Sequence, residues 1–244
     1  MSEGIQDKQQ RATILIAVLI LAASIIAGGY LLGDGLKRAR MADRAVTMRG
    51  LAERDVTANL ATWTINLSAN GTELAAVQGK IEEDTRRIRD FFRAAGFPDE
   101  AVSDAGGSVS SYYSSERGAN IVTVGRRLQF RSEDVARAQR AYARQFELIR
   151  AGVGLQEGSG MQYIFTRLND IKPEMIAEAT RNAREGAEQF AEDSGTSVGG
   201  IRSATQGYFS IGPRDGDVSE EGYGGRDSPN QKVRVVTTIE FYLG

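Results

Sequence analysis

The residues best able to do chemistry in this chain are its carboxylates, and the densest group is Asp215, Asp217, Glu220 and Glu221, with Ser219, in the glycine-rich stretch 212–231. Oxygen ligands in a loop suit a hard cation such as calcium. The spacing does not match an EF-hand, and Arg214 and Arg226 stand among the acids, so the segment reads as a solvated acidic loop. Two carboxylates converging on a cleft would serve a hydrolase acting on cell-wall polymers, but no spacing in the chain singles out such a pair. Gly152-Val153-Gly154 follows a helical pattern instead of joining a strand to a helix, so it reads as a turn and not as a dinucleotide fingerprint.

Two absences prune the remaining chemistry. The 244 residues include no cysteine and no histidine. That removes disulfides, thiolate nucleophiles, Cys/His zinc sites, Ser-His-Asp triads and imidazole acid–base catalysis. A net charge of −2 argues against a nucleic-acid partner, which selects for a basic excess. No catalytic, cofactor-binding or metal residue is assigned, and no cofactor is expected.

Three groups remain as contact candidates. Tyr112 and Tyr113 stand beside Ser110, Ser111, Ser114 and Ser115 and could form a contact surface, although packing within a strand is the preferred reading. Arg137, Arg140 and Arg144 share a helix face and read as pairing with Glu133 and its neighbours. Arg86, Arg87, Arg89 and Arg93, with Glu82, Glu83 and Asp84, read as a solvated, salt-bridged face. The sequon-like Asn66-Leu67-Ser68 and Asn70-Gly71-Thr72 read as accidental.

The elements that position these groups follow from hydrophobic periodicity. Two extended stretches lie in 45–67, and in the second Trp63, Ile65 and Leu67 alternate with Thr62, Thr64 and Asn66, as a half-buried strand requires. Leu74, Val77, Ile81, Ile88, Phe91 and Phe92 recur at helical spacing up to Gly96 and Pro98. A hairpin is expected from strands over 108–113 and 121–131, with Val122, Val124, Leu128 and Phe130 on one face and a bulge or close backbone approach at Gly125.

Ser132 reads as the N-cap of a second helix with the stripe Val135, Ala138, Tyr142, Phe146 and Ile149, closed by Gly152 and Gly154. A strand over 161–168 precedes a third helix opened by Pro173, lined by Ile176, Ala179, Ala183, Ala187 and Phe190 and stopped by Gly195. Strands over 198–211 and 232–242 close the chain. The order ββαββαβαββ, with antiparallel strands and about three helices, is α+β. The passages 81–109 and 176–208 share one supersecondary pattern of helix, glycine stop and strand.

Ahead of this domain, Ala12 to Leu32 carries no charge and is long enough for a helix to cross the hydrocarbon core. It is longer than a signal-peptide core and no A-x-A site follows, so an uncleaved transmembrane anchor is expected. The chain then divides into a tail over 1–11, a membrane helix over 12–32, a basic connector over 33–44 and the α+β domain over 45–244. Lys37, Arg38, Arg40 and Arg44 outnumber Lys8 and Arg11 across the helix, which by the positive-inside rule favours a cytoplasmic domain; long translocated domains largely escape that rule.

From Ala45 to Leu243 the chain resembles the SIMPL-domain family of bacterial envelope proteins, which includes periplasmic immunogenic and oxidative-stress defence proteins. The resemblance rests on Val46-Thr47-Met48-Arg49-Gly50, on the strand Leu60 to Leu67, on Phe92-Arg93-Ala94-Ala95-Gly96-Phe97 before the serine- and tyrosine-rich strand, and above all on the alanine-periodic helix Glu178 to Gly195. Ala58-Asn59 and Gly118-Ala119 depart from the family's usual Pro-Asp and Gly-Tyr. The resemblance implies an α+β fold, an envelope location, self-association and no catalytic centre. The expectation is therefore a non-catalytic, single-pass protein of the bacterial inner membrane whose periplasmic domain self-assembles into a ring or cage. The alternatives are a binding module for lipid or another envelope protein and, behind it, a carboxylate hydrolase.

Overall fold

The computed structural model of the chain describes residues 21–22, 24–33, 35, 44–215 and 226–244. Residues 12–20 and 23 of the expected membrane helix over 12–32 lie outside them, as do Asp217, Ser219, Glu220 and Glu221 of the acidic loop. Residues 21–22 and 24–33 are helical; no helix among the described residues is long and apolar enough to cross a membrane.

The elements run β1 (Ala45–Thr57), β2 (Leu60–Gly71), α1 (Leu74–Ala94), β3 (Val102–Ser114), β4 (Ala119–Ser132), α2 (Val135–Ala143), α3 (Phe146–Arg150), β5 (Gly160–Ile164), α4 (Leu168–Ser194), β6 (Val198–Gln206), β7 (Ser210–Pro213) and β8 (Asn230–Leu243). The class is α+β. One sheet has the antiparallel order β3-β4-β2-β5; the other has β1-β8-β6, with β7 also on β8. The chain divides into a terminal unit, Met1–Leu51 with Glu178–Gly207 and Val236–Gly244, and a central unit, Ala52–Ala177 with Tyr208–Val235.

The central unit is built on β2. Its period-two alternation buries Trp63, Ile65 and Leu67, and α1 lays Val77, Ile81, Ile88 and Phe92 into the same core. Phe92 stacks on Phe130 of β4 with ring centroids 4.2 Å apart, and Trp63 meets Phe92 edge-on at 5.5 Å. Aromatic packing of this kind adds about 1 kcal/mol per pair to the area buried. Burial also pushes the Tyr163 phenol above its ordinary range, with Tyr142 acting in the same direction.

The terminal unit is packed with small residues. Val46, Ala183, Ala187, Ile239 and Phe241 form its core. Gly50 sits so close to α4 that a Cβ there would lie 1.8 Å from the Ala179 carbonyl oxygen and 2.7 Å from the Ala183 nitrogen. Only glycine fits that approach. Beside it, the Leu51 N–H donates to Asn182 Oδ1 at 3.1 Å.

Helices end where glycines were expected to end them. Gly96 has φ +84°; its N–H donates to the Arg93 carbonyl and the Phe97 N–H to the Phe92 carbonyl, the paired bonds of a Schellman closure. Gly152 (φ +81°) after α3 and Gly195 (φ +66°) after α4 close in the same way.

Several expectations need correcting. Among its described residues the α+β domain has four α-helices instead of about three, because the second breaks after Ala143. The break shifts the phase, burying Leu148 and leaving Phe146 and Ile149 exposed. Asp134, not Ser132, caps α2, accepting from the Arg137 N–H at 2.9 Å; a carboxylate cap also suits the helix dipole. Helix α4 begins at Leu168, so Pro173 lies inside it, and the first-turn Asp170 pairs with Arg167 at 3.3 Å. Its buried stripe is Met175, Ala179, Ala183, Ala187 and Ala191, which leaves Phe190 exposed. The strand expected over 198–211 is two strands, parted at Gly207, where a Cβ would come within 2.7 Å of the Val236 carbonyl oxygen.

Candidate functional site

The most distinctive surface lies in the central unit where β3 pairs with β4. The register runs Asp104↔Leu128 and then Gly106↔Arg127, which leaves Ala105 as the extra residue of a β-bulge. Gly106 has φ +125°, a conformation reserved for glycine. Beyond it space is tight at both glycines: a Cβ on Gly107 would be 3.0 Å from the Gly125 carbonyl oxygen, and one on Gly125 would be 2.8 Å from Ser108 Oγ. Neither reading of Gly125 holds as stated: the bulge belongs to the partner strand, and the atom that would come close to a Cβ on Gly125 is the Ser108 hydroxyl, with backbone atoms no nearer to it than 3.8 Å.

These glycines open a hollow of about 450 Å³ against Gln78, Ile81 and Glu82 of α1. A second, of about 380 Å³, adjoins the same glycines beside Asn66 and Arg127. Alternation along β4 accounts for the pair: Arg126 points toward α1, reaching Thr85 Oγ1 at 3.5 Å, and Arg127 points to the other face, donating to Asn66 Oδ1 at 3.1 Å. Asp104 is held by Arg126 at 2.8 Å and by Arg89 at 3.4 Å. Glu82, the other acid in the hollow, is exposed.

Past the hollows, β3 is the outermost strand of its sheet. From Gly107 to Ser114 it carries no charge and no proline, the usual guards of an open edge. Tyr112 and Tyr113 are 61% and 66% exposed and Val109 is 63% exposed, so the preferred reading of the tyrosines as packed strand residues is wrong. The hairpin turns at Gly118, and β3 is exposed from Ser103 to Tyr113, which no local pattern could have told. The edge strand β6 of the terminal unit is better guarded. Its register shifts twice, and Arg202 pairs with Glu240 at 3.4 Å.

The other sequence candidates are structural. Arg137 pairs with Asp134 at 3.2 Å and also donates to the Gly96 carbonyl, while Arg144 pairs with Glu147 at 2.8 Å; Glu133 is not their partner in these pairs, and Arg140 is exposed. On α1, Arg87 pairs with Glu83 and Arg93 with Asp90 and Asp99, as a salt-bridged face should, but Asp84 is buried with Lys80 as its ion partner. Gly152-Val153-Gly154 is the expected turn, with Val153 buried. Arg214 pairs with Asp55 at 3.5 Å. Among the described residues no cluster of acids could hold a metal ion.

Fold and site together define an α+β protein that presents an open sheet edge flanked by shallow hollows. The family model SIMPL, described as a protein of unknown function (DUF541), matches residues 46–241, and the chain belongs to that family. No curated protein matches it.

Proposed function

We propose that this SIMPL protein is a non-catalytic envelope protein, anchored in the bacterial inner membrane by its N-terminal helix, whose periplasmic domain assembles with copies of itself into a ring or cage. The observation that carries the reading is the long, unguarded edge of β3 with its exposed tyrosines. A free edge is a template for another strand, and confinement to a membrane plane raises the effective concentration of copies. Anchoring is supported by the exposed, apolar Leu21, Ile25, Ile26, Leu31 and Leu32 in the helical residues 21–22 and 24–33.

Mass photometry of the detergent-extracted protein tests assembly: oligomers are expected, and a clean monomer at micromolar concentration sinks the reading. Protease added to spheroplasts should digest the domain if it is periplasmic; protection until lysis would place it in the cytoplasm, as the flanking lysines and arginines favour. A second reading, a module that docks lipid or another envelope protein, draws on Phe146 and Ile149, both exposed on α3. Crosslinking followed by pull-down from membranes would separate the two, since pure self-assembly recovers only this chain.

A further inference from the structure

Resting on the self-assembly reading, the geometry points to one particular contact: two copies pair β3 against β3, antiparallel, about a two-fold axis that passes between Ser111 of one copy and Ser111 of the other. The choice of edge follows from comparing the two long exposed strands. Strand β6 is nine residues long, broken in register and tied through Arg202 to Glu240, whereas β3 offers an uninterrupted run after its bulge, free of charge and proline. Its outward N–H and C=O groups face away from β4 and can pair with an added strand.

The register follows from symmetry. A two-fold axis perpendicular to the sheet keeps each residue on its own face, so residue 111 + k of one copy must oppose residue 111 − k of the other for any centre at 111. That centre sets Val109 opposite Tyr113 twice, an aromatic–β-branched pair of the kind that stabilises sheets, and sets Tyr112 opposite Ser110. All three large exposed side chains of the edge meet a partner of different size. A centre at 110 sets Tyr113 against Gly107 and Val109 against Ser111, and a centre at 112 stacks Tyr112 on itself and sends Val109 to Ser115; neither gives the Val–Tyr pairs.

The same register sets Gly107 opposite Ser115 of the second copy. A second copy therefore complements the edge in side-chain size from Val109 to Tyr113, which selects it over an unrelated extended peptide.

The absence of cysteine makes the test clean. Single cysteines are introduced at positions 109, 110, 111, 112 and 113 of the full detergent-solubilised chain, and covalent dimer is measured after mild oxidation. Ser111→Cys should give the most, because residues facing each other across the axis lie within disulfide reach. Val109→Cys alone should give at least about tenfold less, since its own copy is four residues, roughly 13 Å, along the strand. Mixing Val109→Cys with Tyr113→Cys chains should restore the crosslink.

Ser111→Lys, an exposed change that sets like charges face to face, should weaken association about fivefold. A maximum at another position, or preferential crosslinking of β3 cysteines to Ser203→Cys on β6, overturns the proposal. Oligomers by mass photometry without any β3 crosslink overturn it while leaving self-assembly standing, and a monomer throughout overturns both.

Discussion

The two units of this protein use one local plan and pack it in opposite ways. In each, an amphipathic helix ends at a left-handed glycine, Gly96 or Gly195, and runs into an edge strand that carries a register shift and pairs antiparallel with a later strand. In the central unit the helix stands off its sheet on large rings: Phe92, Phe130, Trp63 and Phe97. In the terminal unit α4 comes down onto the sheet through Ala179, Ala183 and Ala187 until its backbone touches Gly50. A helix–sheet pair is thus stable at either spacing, provided that all contacting residues agree on it. Burial of large rings stabilises the first; the second depends on close contact over many small atoms.

This contrast can be broken by exchanging the kind of damage. Truncating the central core, Phe92→Ala, should cost about 3–5 kcal/mol in chemical denaturation, because the flat ring leaves a cavity its neighbours cannot fill. In the terminal unit the reverse change should do the harm: Gly50→Ala adds a single methyl group but drives it into the α4 backbone, and about 3 kcal/mol is expected, read as loss of amide protection in 178–194 before the central unit. If Gly50→Ala were tolerated within about 0.5 kcal/mol, the close-packing account of the terminal unit would fail.

Where the units share a device, the costs should match. Gly96→Ala and Gly195→Ala each force an L-residue into the left-handed region and should each cost about 1 kcal/mol. A difference of several-fold would mean that the two closures are not equivalent.

Titration sharpens the contrast further. Tyr163, buried in the central unit, has its phenol pushed up by burial, so the folded form holds its proton where the unfolded form releases it, near pH 10. Stability should therefore fall as pH rises through and beyond that value. Tyr163→Phe should flatten the alkaline limb of a pH–stability curve. The smallest effect belongs to an exposed pair: a hydrogen bond from Arg144 holds the Glu147 carboxyl below its ordinary range. Its contribution is present above the ordinary glutamate pKa and lost as pH falls through the lowered value; NMR titration of Arg144→Gln should bring Glu147 back up.

Much of this fold was legible because it is written in local chemistry. The alternation of Trp63, Ile65 and Leu67, the helical spacing from Val77 to Phe92 and the glycine stops at 96, 152 and 195 each state how a residue sits on its own element. Family membership was legible for the same reason, since Val46 to Gly50 and Glu178 to Gly195 lie within the matched span. Less legible was phase where a helix breaks: Phe146 and Ile149 fit the stripe of a continuous helix and lost their place when two residues left it. Phe190 has the hydrophobicity of a core residue, yet a strict four-residue step to Ala191 buries the alanine because the close approach of α4 leaves no room for a ring.

The candidate site was legible only as a composition. Serines and tyrosines at 110–115 mark a strand, and their alternation is the same whether a helix covers them or not. By itself the sequence determined the elements, their glycine stops and the family, because each depends on residues within a turn or two of chain. Only the tertiary structure decided that Gly50 must meet Ala179, that Asp104 is locked by Arg89 and Arg126, and that β3 ends its sheet with Tyr112 and Tyr113 exposed. Those outcomes depend on which distant segment arrives at a surface, and periodicity along one element carries no information about what lies across from it.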